Sequence, residues 1–329
     1  MKKALKILGR ALALVLALVL LAAAALLVIP LFEKADPAAV PGSADWMADI
    51  ADDRLLSEMV IPGTHDSATQ YAQLAFVTRC QSLSIFEQLE AGYRYLDIRL
   101  DDAAKGADAP RLKHGFTNCK VSTLGGTLTL DKVLADCYYF LTLHPTETVI
   151  FAVKHEYGDA TDAEFETLLD GYISANPTKW LLTDTVPTLG DARGKLVLLR
   201  RYTDEAGLGE RAGLPFLWVN QNGHEDTSLN TVAEDEGSYT LWVQDRYEYD
   251  AADKWNAFCE GMSTARTRES GDIAVHFLST KGTSAYGHPY AFAKDLNDKL
   301  LRADLLLDGW IVVDFASPRL AERVYSVNF

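Results

Sequence analysis

The sequence shows no internal repeat of 20–50 residues and no segment dominated by Pro, Ser or Gln. Solenoids, propellers and low-complexity architectures are therefore excluded. No CxxC, HExxH or Cys/His cluster occurs, which removes support for a structural zinc or a metalloprotease centre. Cations are scarce, with 31 Lys and Arg against 46 Asp and Glu and a net charge of −15. The first 36 residues hold a net +3, so the remainder carries −18. A body this acidic repels a phosphate backbone, which excludes nucleic-acid binding by electrostatic footprint. Any chemistry on phosphate has to come from a local basic site. Cysteine is sparse as well. Cys80, Cys119, Cys137 and Cys259 are compatible with two disulfides in an oxidising compartment, or with buried free thiols.

What is present begins with a long apolar run. Lys2, Lys3, Lys6 and Arg10 precede 22 uncharged residues from Ala11 to Phe32. As a helix the run spans about 33 Å, enough for a hydrocarbon core of ~30 Å. Its leading cations predict a cytoplasmic start and an extracytoplasmic body. The run is longer than the apolar part of most cleaved signals, which favours an uncleaved anchor over a secretory signal. Residues 1–32 thus read as anchor or signal segment. Residues 33–45, with Pro37, Pro41, Gly42 and Ser43, read as a short exposed linker. Residues 46–329 show no second linker and read as one catalytic domain.

The whole chain is 48% hydrophobic, and the domain has ample material for a core. Eight short apolar runs read as strands: Met59–Ile61, Tyr93–Leu100, Arg111–Lys113, Thr148–Val153, Lys195–Leu199, Thr240–Val243, Ile273–Leu278 and Trp310–Val313. Several are near-continuous Val, Ile and Leu, as for parallel strands buried on both faces. Ser84 with Glu87 and Thr161 with Glu164 form capping boxes ahead of apolar helical spacing. Thr129–Leu143 and Ala291–Leu307 add helical patterns. The alternation predicts an α/β fold, a TIM-type (β/α)₈ barrel distorted in the irregular stretch Arg201–Ser238.

Ionisable residues cluster where these strands end. His65 follows the first, Asp97 and Arg99 end the second, and His114 the third. Lys154 ends the fourth, Arg201 the fifth, Asp245 and Tyr247 the sixth, and Asp314 the eighth. Seven strands thus deliver an ionisable group to the carboxyl face, where barrel active sites assemble. Singly, each would pass for a surface or salt-bridge residue. His144, His155, His224, His276 and His288 have no evident partner and read as structural.

The stretches IPGTHDSAT, GYRYLDIRL, KHG, ETVIFAVKHEY, DARGKLVLLRRY, WVQDRY and GWIVVDF, in this order across residues 58–315, resemble bacterial phosphatidylinositol-specific phospholipase C of the X-domain type. The resemblance implies cleavage of phosphatidylinositol to diacylglycerol and inositol 1,2-cyclic phosphate. Two histidines suit such an acid–base pair, because imidazole titrates near neutral pH. By resemblance His65 is the base, His114 the acid and Asp314 the carboxylate that orients His65. Arg99 neutralises phosphoryl charge, Asp66 and Asp97 stand behind Arg99 and His114 without the sequence assigning either to one of them, and Lys154, Arg201, Asp245 and Tyr247 bind the headgroup. Calcium-dependent relatives place a carboxylate where Arg99 stands, so the resemblance implies no metal and no cofactor. The implied partner is phosphatidylinositol or a glycosyl-phosphatidylinositol at a membrane surface, met by a monomer. Thr203–Gly237 and the loop with Asn118 and Cys119 lack a close match to the family. Competing readings are a non-catalytic inositol-headgroup module and a metal-dependent glycerophosphodiester phosphodiesterase. The HRG start of the latter is missing, since Asp66 and Ser67 follow His65.

Overall fold

Alternation along buried strands sets this architecture, described by a computed structural model over residues 2–102, 109–221, 229–231, 239–284 and 286–329. The strands are β1 (Ile61–Thr64), β2 (Tyr95–Asp101), β3 (Lys113–His114), β4 (Thr117–Asn118), β5 (Val149–Tyr157) and β6 (Trp180–Leu181). They continue with β7 (Leu196–Arg200), β8 (Leu214–Pro215), β9 (Leu229–Thr231), β10 (Thr240–Gln244), β11 (Ile273–Phe277) and β12 (Trp310–Val313). The helices are α1 (Lys2–Val28), α2 (Ala75–Thr78), α3 (Ile85–Glu90), α4 (Leu130–Leu143), α5 (Asp162–Ala175), α6 (Leu189–Ala192), α7 (Ala251–Ala265), α8 (Pro289–Arg302) and α9 (Pro318–Tyr325).

The main sheet runs β6-β7-β5-β2-β1-β12-β11-β10-β9, with β8 paired to β7. Every pair is parallel except β9 with β10. Among the described residues no pairing closes β9 onto β6 or β8, so the sheet is a curled, open form of the expected barrel. Both capping boxes form, Glu87 N to Ser84 Oγ and Glu164 N to Thr161 Oγ1 at 3.3 Å each.

Two strand expectations are corrected. The first strand begins at Ile61 rather than Met59, because Leu56–Glu58 turn as a 3₁₀ helix just before it. Gly63 lets this strand lie close to β2, since a Cβ there would meet Tyr95 Cδ1 at 2.8 Å. The third expected strand, Arg111–Lys113, does not enter the main sheet. Gly115 at φ +53 closes a tight hairpin instead, and β3 pairs antiparallel with β4 alone. Among its described residues the stretch Arg201–Ser238 contributes β8, β9 and one 3₁₀ turn, and His224 lies outside the described residues.

Alternation divides the core. Leu96, Ile98 and Leu100 of β2 point outward onto Leu130, Leu134, Cys137 and Phe140 around α4. Tyr95 points inward with Ile150, Phe216 and Trp310, so Asp97 and Arg99 share its inward face. All four cysteines are free, and Cys80, Cys119 and Cys137 are buried. The disulfide alternative is thereby set aside. Helix α1 buries no residue, and Lys2–Leu31 is long and apolar enough to cross a membrane, with an 18-residue stretch of mean hydropathy 3.2.

At the opposite end from the histidines, Arg94 and Glu147 form a fully buried pair at 2.8 Å. Arg94 also donates to the carbonyls of Leu89, Tyr93 and Ala44, and Glu147 accepts from Met47 N. Desolvation makes such a pair a weak net stabiliser, yet removal of one partner strands a buried charge. Glu147→Ala is therefore expected to destabilise by about 3–5 kcal/mol. Urea denaturation checks it; a change under ~1 kcal/mol would mean the pair is solvated.

Candidate active site

Close to the carboxyl ends of β1, β2, β5 and β12, one network gathers most of the expected residues. His65 follows β1 directly, its N–H held by the carbonyl of Val313 in β12 at 3.0 Å. Its Nδ1 donates to Asp314 Oδ1 at 2.8 Å, which fixes the tautomer with Nε2 bare toward the site. Arg99 NH2 stands 2.8 Å from that Nε2. Burial alone would lower the His65 pKa, but Asp314 and Asp66 outweigh it and Arg99 opposes them only in part. The result is a pKa above the ordinary 6.5.

Three carboxylates surround the Arg99 guanidinium. Asp97 Oδ2 accepts from Nε and NH2 at 3.1 and 2.9 Å, Asp66 Oδ1 lies 3.2 Å from Nε, and Glu156 Oε1 3.5 Å from NH1. Burial would raise the Asp97 carboxyl, yet Arg99 and Arg201 drive it far below the usual carboxylate range. Glu156 likewise resists burial through Arg99 and Lys154 and falls to about 2. Burial opposes the Arg99 cation, but Asp66 and Asp97 hold its pKa well above the ordinary arginine value.

His114 reaches the same place from the β3–β4 hairpin rather than from a barrel strand. Its Nδ1 donates to the Thr78 carbonyl at 2.8 Å, and Asp66 Oδ2 lies 3.3 Å from the same nitrogen. The His65 and His114 rings sit 6.5 Å apart, nearly perpendicular. The backbone bends sharply beside this pair: Asp66 and Phe315 take φ +43 and +49, in the left-handed region that costs a non-glycine residue roughly 1–2 kcal/mol.

Known proteins resemble this chain in sequence as well. Residues 53–202 match the family described as phosphatidylinositol-specific phospholipase C, X domain. That X-domain match spans just under half of the chain. Among similar proteins is a 1-phosphatidylinositol phosphodiesterase of Staphylococcus aureus, 28% identical over 291 residues, covering 83% of this chain and 88% of the relative. Another is that of Listeria monocytogenes, 26% identical over 308 residues, covering 86% and 84%. A solved structure of the Staphylococcus aureus phosphatidylinositol-specific phospholipase C, from work on its membrane binding, superposes with a TM-score of 0.72 at 25% identity, covering 87% of this chain and 98% of that one. The Listeria monocytogenes enzyme shares the fold at a TM-score of 0.64 and 21% identity, with 87% and 99% covered.

Around the Arg99 network the headgroup candidates are joined unequally. Arg201 donates to Asp97 Oδ1 at 2.9 Å and lies 3.9 Å over the Trp218 ring. Trp218 Nε1 in turn donates to Asp245 Oδ2 at 3.1 Å. Lys154 joins through Glu156 at 2.6 Å. Tyr247 stands apart: its ring faces the Lys281 ammonium at 5.9 Å, and no hydrogen bond ties its side chain to the cluster among the described residues. Of the histidines read as structural, His276 is buried, and burial lowers its pKa to about 3. His155 stacks on Phe165 and His144 bonds Asp45 and Glu90. His288 pairs with Glu33.

Sequence reading missed four contributors. Glu156 had a signal, since it lies two residues beyond Lys154 on the same strand face. Gln81, fully buried, donates to the carbonyls of His65 and Val313 and accepts from Ala316 N, so it locks β1 to β12. Trp218 and Cys80 likewise gave none. Donor atoms of His65, Cys80 and Asp314, and of Asp66, Cys80 and His114, lie within 4.8 Å of one another. They fit a metal poorly: burial, with Asp314 and Asp66 nearby, holds the Cys80 thiol well above its usual 9.0, and Asp66 is already paired with Arg99.

A group whose folded pKa is raised is charged over a wider pH range, so His65 loses its proton only above 6.5. Asp314→Asn removes the largest raising interaction and is expected to bring that titration below the wild-type midpoint. Nitrogen-15 NMR of the imidazoles reads it; an unmoved midpoint would separate Asp314 from His65.

Proposed function

We propose that the chain is a phosphatidylinositol-specific phospholipase C working by general acid–base catalysis. The observation that carries this reading is the opposed pair His65 and His114 with Arg99 beside them, each ring fixed at Nδ1 by its own acceptor. His65 Nε2 takes the proton of the inositol 2-hydroxyl. That oxygen forms a bond to phosphorus as the bond to the diacylglycerol oxygen breaks. His114, whose Nδ1 proton is engaged by Thr78, delivers the Nε2 proton to the departing oxygen. The products are diacylglycerol and inositol 1,2-cyclic phosphate. Asp314 stabilises the His65 imidazolium as it forms.

Arg99 supplies the positive charge that the phosphoryl oxygens need, with two parallel donors suited to two oxygens. In the free enzyme one of those donors rests on His65 Nε2. Phosphate then takes over that donor, which leaves Nε2 free to act as the base. A cation fixed among Asp66, Asp97 and Glu156 supports a reaction without metal. Lys154, Arg201 and Asp245 bind the inositol hydroxyls, and the Tyr247 face packs on the C–H side of the ring. The substrate is phosphatidylinositol or its glycosyl derivative, met by an extracytoplasmic domain that α1 anchors or, if cleaved, releases.

His114→Ala is expected to lower kcat on natural lipid by about 10²–10⁴-fold. A substrate with an acidic leaving group needs no proton and should restore much of that loss, while His65→Ala stays slow on both. Equal loss on both substrates would remove His114 as the acid. Arg99→Lys keeps the charge without the planar fork, and its kcat is expected to fall by at least about tenfold. Wild-type kcat in Arg99→Lys would mean the guanidinium does not touch phosphate.

A further inference from the structure

The segment after α1 was expected to be a free linker, yet its first residues are fastened to the catalytic domain. Pro30 is buried, and its carbonyl accepts from Arg79, itself buried. Glu33 is buried too, paired at 2.8 Å with His288 at the start of α8. His288 donates from Nδ1 to the Phe76 carbonyl at 2.7 Å and stacks on the Phe76 ring at 4.0 Å. Ala35 N donates to Ser82 Oγ at 3.1 Å. All of these partners except His288 lie between Phe76 and Ser82.

That short segment also builds the active site. Thr78 fixes His114, Cys80 lies 3.9 Å from it, and Gln81 fixes His65. Arg79 joins the two roles, donating to the Gln81 carbonyl while it holds Pro30. The exit of α1 is thus bound to the wall of the catalytic centre. Four large apolar side chains stand exposed around it: Phe32 at 80%, Leu74 at 57%, Phe116 at 66% and Tyr286 at 77%. Each lies within two residues of Glu33, Phe76, His114 or His288. An acidic body gains little from anionic lipid, so contact with a bilayer has to come from such side chains and from the anchor itself.

We propose that the clamp of Pro30 and Glu33 on Arg79 and His288 presses this rim, and the active-site mouth within it, onto the bilayer that α1 spans, confining the enzyme to lipid of its own leaflet. The proposal rests on the phosphatidylinositol reading above and on α1 remaining attached.

The full chain, carrying Cys259→Ser and bimane on Phe116→Cys, is reconstituted into vesicles containing doxyl-labelled lipid. Bimane quenching is expected, and is expected to fall in Glu33→Ala and in a chain with a flexible Gly-Ser insertion between Phe32 and Glu33. The insertion leaves the body's own packing intact, so it guards against misfolding. Vesicles holding the unlabelled chain are then mixed with enzyme-free vesicles bearing differently labelled phosphatidylinositol. Cleavage in the enzyme's own vesicles should exceed that in the others by about tenfold or more, and the ratio should drop with the insertion. Turnover of short-chain, water-soluble phosphatidylinositol should stay unchanged in both variants. No quenching in the parent chain, or quenching and ratio untouched by the insertion, overturns the clamp. Failure to cleave even the soluble lipid overturns the enzymatic reading instead, and quenching alone then decides the clamp.

Discussion

A single guanidinium organises this site. Arg99 lies where β1, β2 and β5 end, and its ion pairs reach Asp66 after β1, Asp97 on its own strand and Glu156 on β5. Asp66 and Asp97 are almost wholly buried, so neither can be left without a partner. A buried carboxylate stripped of its cation costs several kcal/mol, which makes the network a structural requirement as well as a chemical one. The same cation sits on the bare nitrogen of His65, so His65, Arg99 and the strand ends are held by one set of contacts.

Each histidine then depends on a different part of the fold. His65 is rigid because Gln81 ties its carbonyl to β12 and Asp314 holds its ring. His114 depends on a hairpin outside the main sheet, kept in place by the Thr78 carbonyl and by Glu156, which accepts from Gly115 N at 3.1 Å. Glu156 therefore serves Arg99 and the hairpin of His114 together. The segment that fixes His114 also receives the chain as it leaves α1, so the helix exit and the candidate site share one wall.

Much of this was legible in the sequence. Near-continuous Val, Ile and Leu runs gave β5, β7, β11 and β12, because strands buried on both faces leave no room for polar alternation. Both capping boxes were readable because they are local. The strand-end ionisable residues were readable by position and type, and Arg201, Asp97 and Asp314 do converge. The Arg111–Lys113 strand failed because three residues before a glycine in the left-handed region close a hairpin as readily as they join a sheet. Gln81, Trp218 and Glu33 gave no signal, since their partners are more than ten residues distant and their side chains carry no motif. Tyr247 was placed by motif alone, and its loop turns the ring toward Lys281.

The proposed chemistry is intramolecular attack on phosphorus without metal, guided by His65, His114 and Arg99. Phosphorus-31 NMR of the purified chain turning over phosphatidylinositol vesicles in excess chelator tests it most directly. Inositol 1,2-cyclic phosphate should accumulate first, at a rate that added calcium does not change. An acyclic inositol phosphate as the first product, or a reaction that stops in chelator and resumes with calcium, would contradict it.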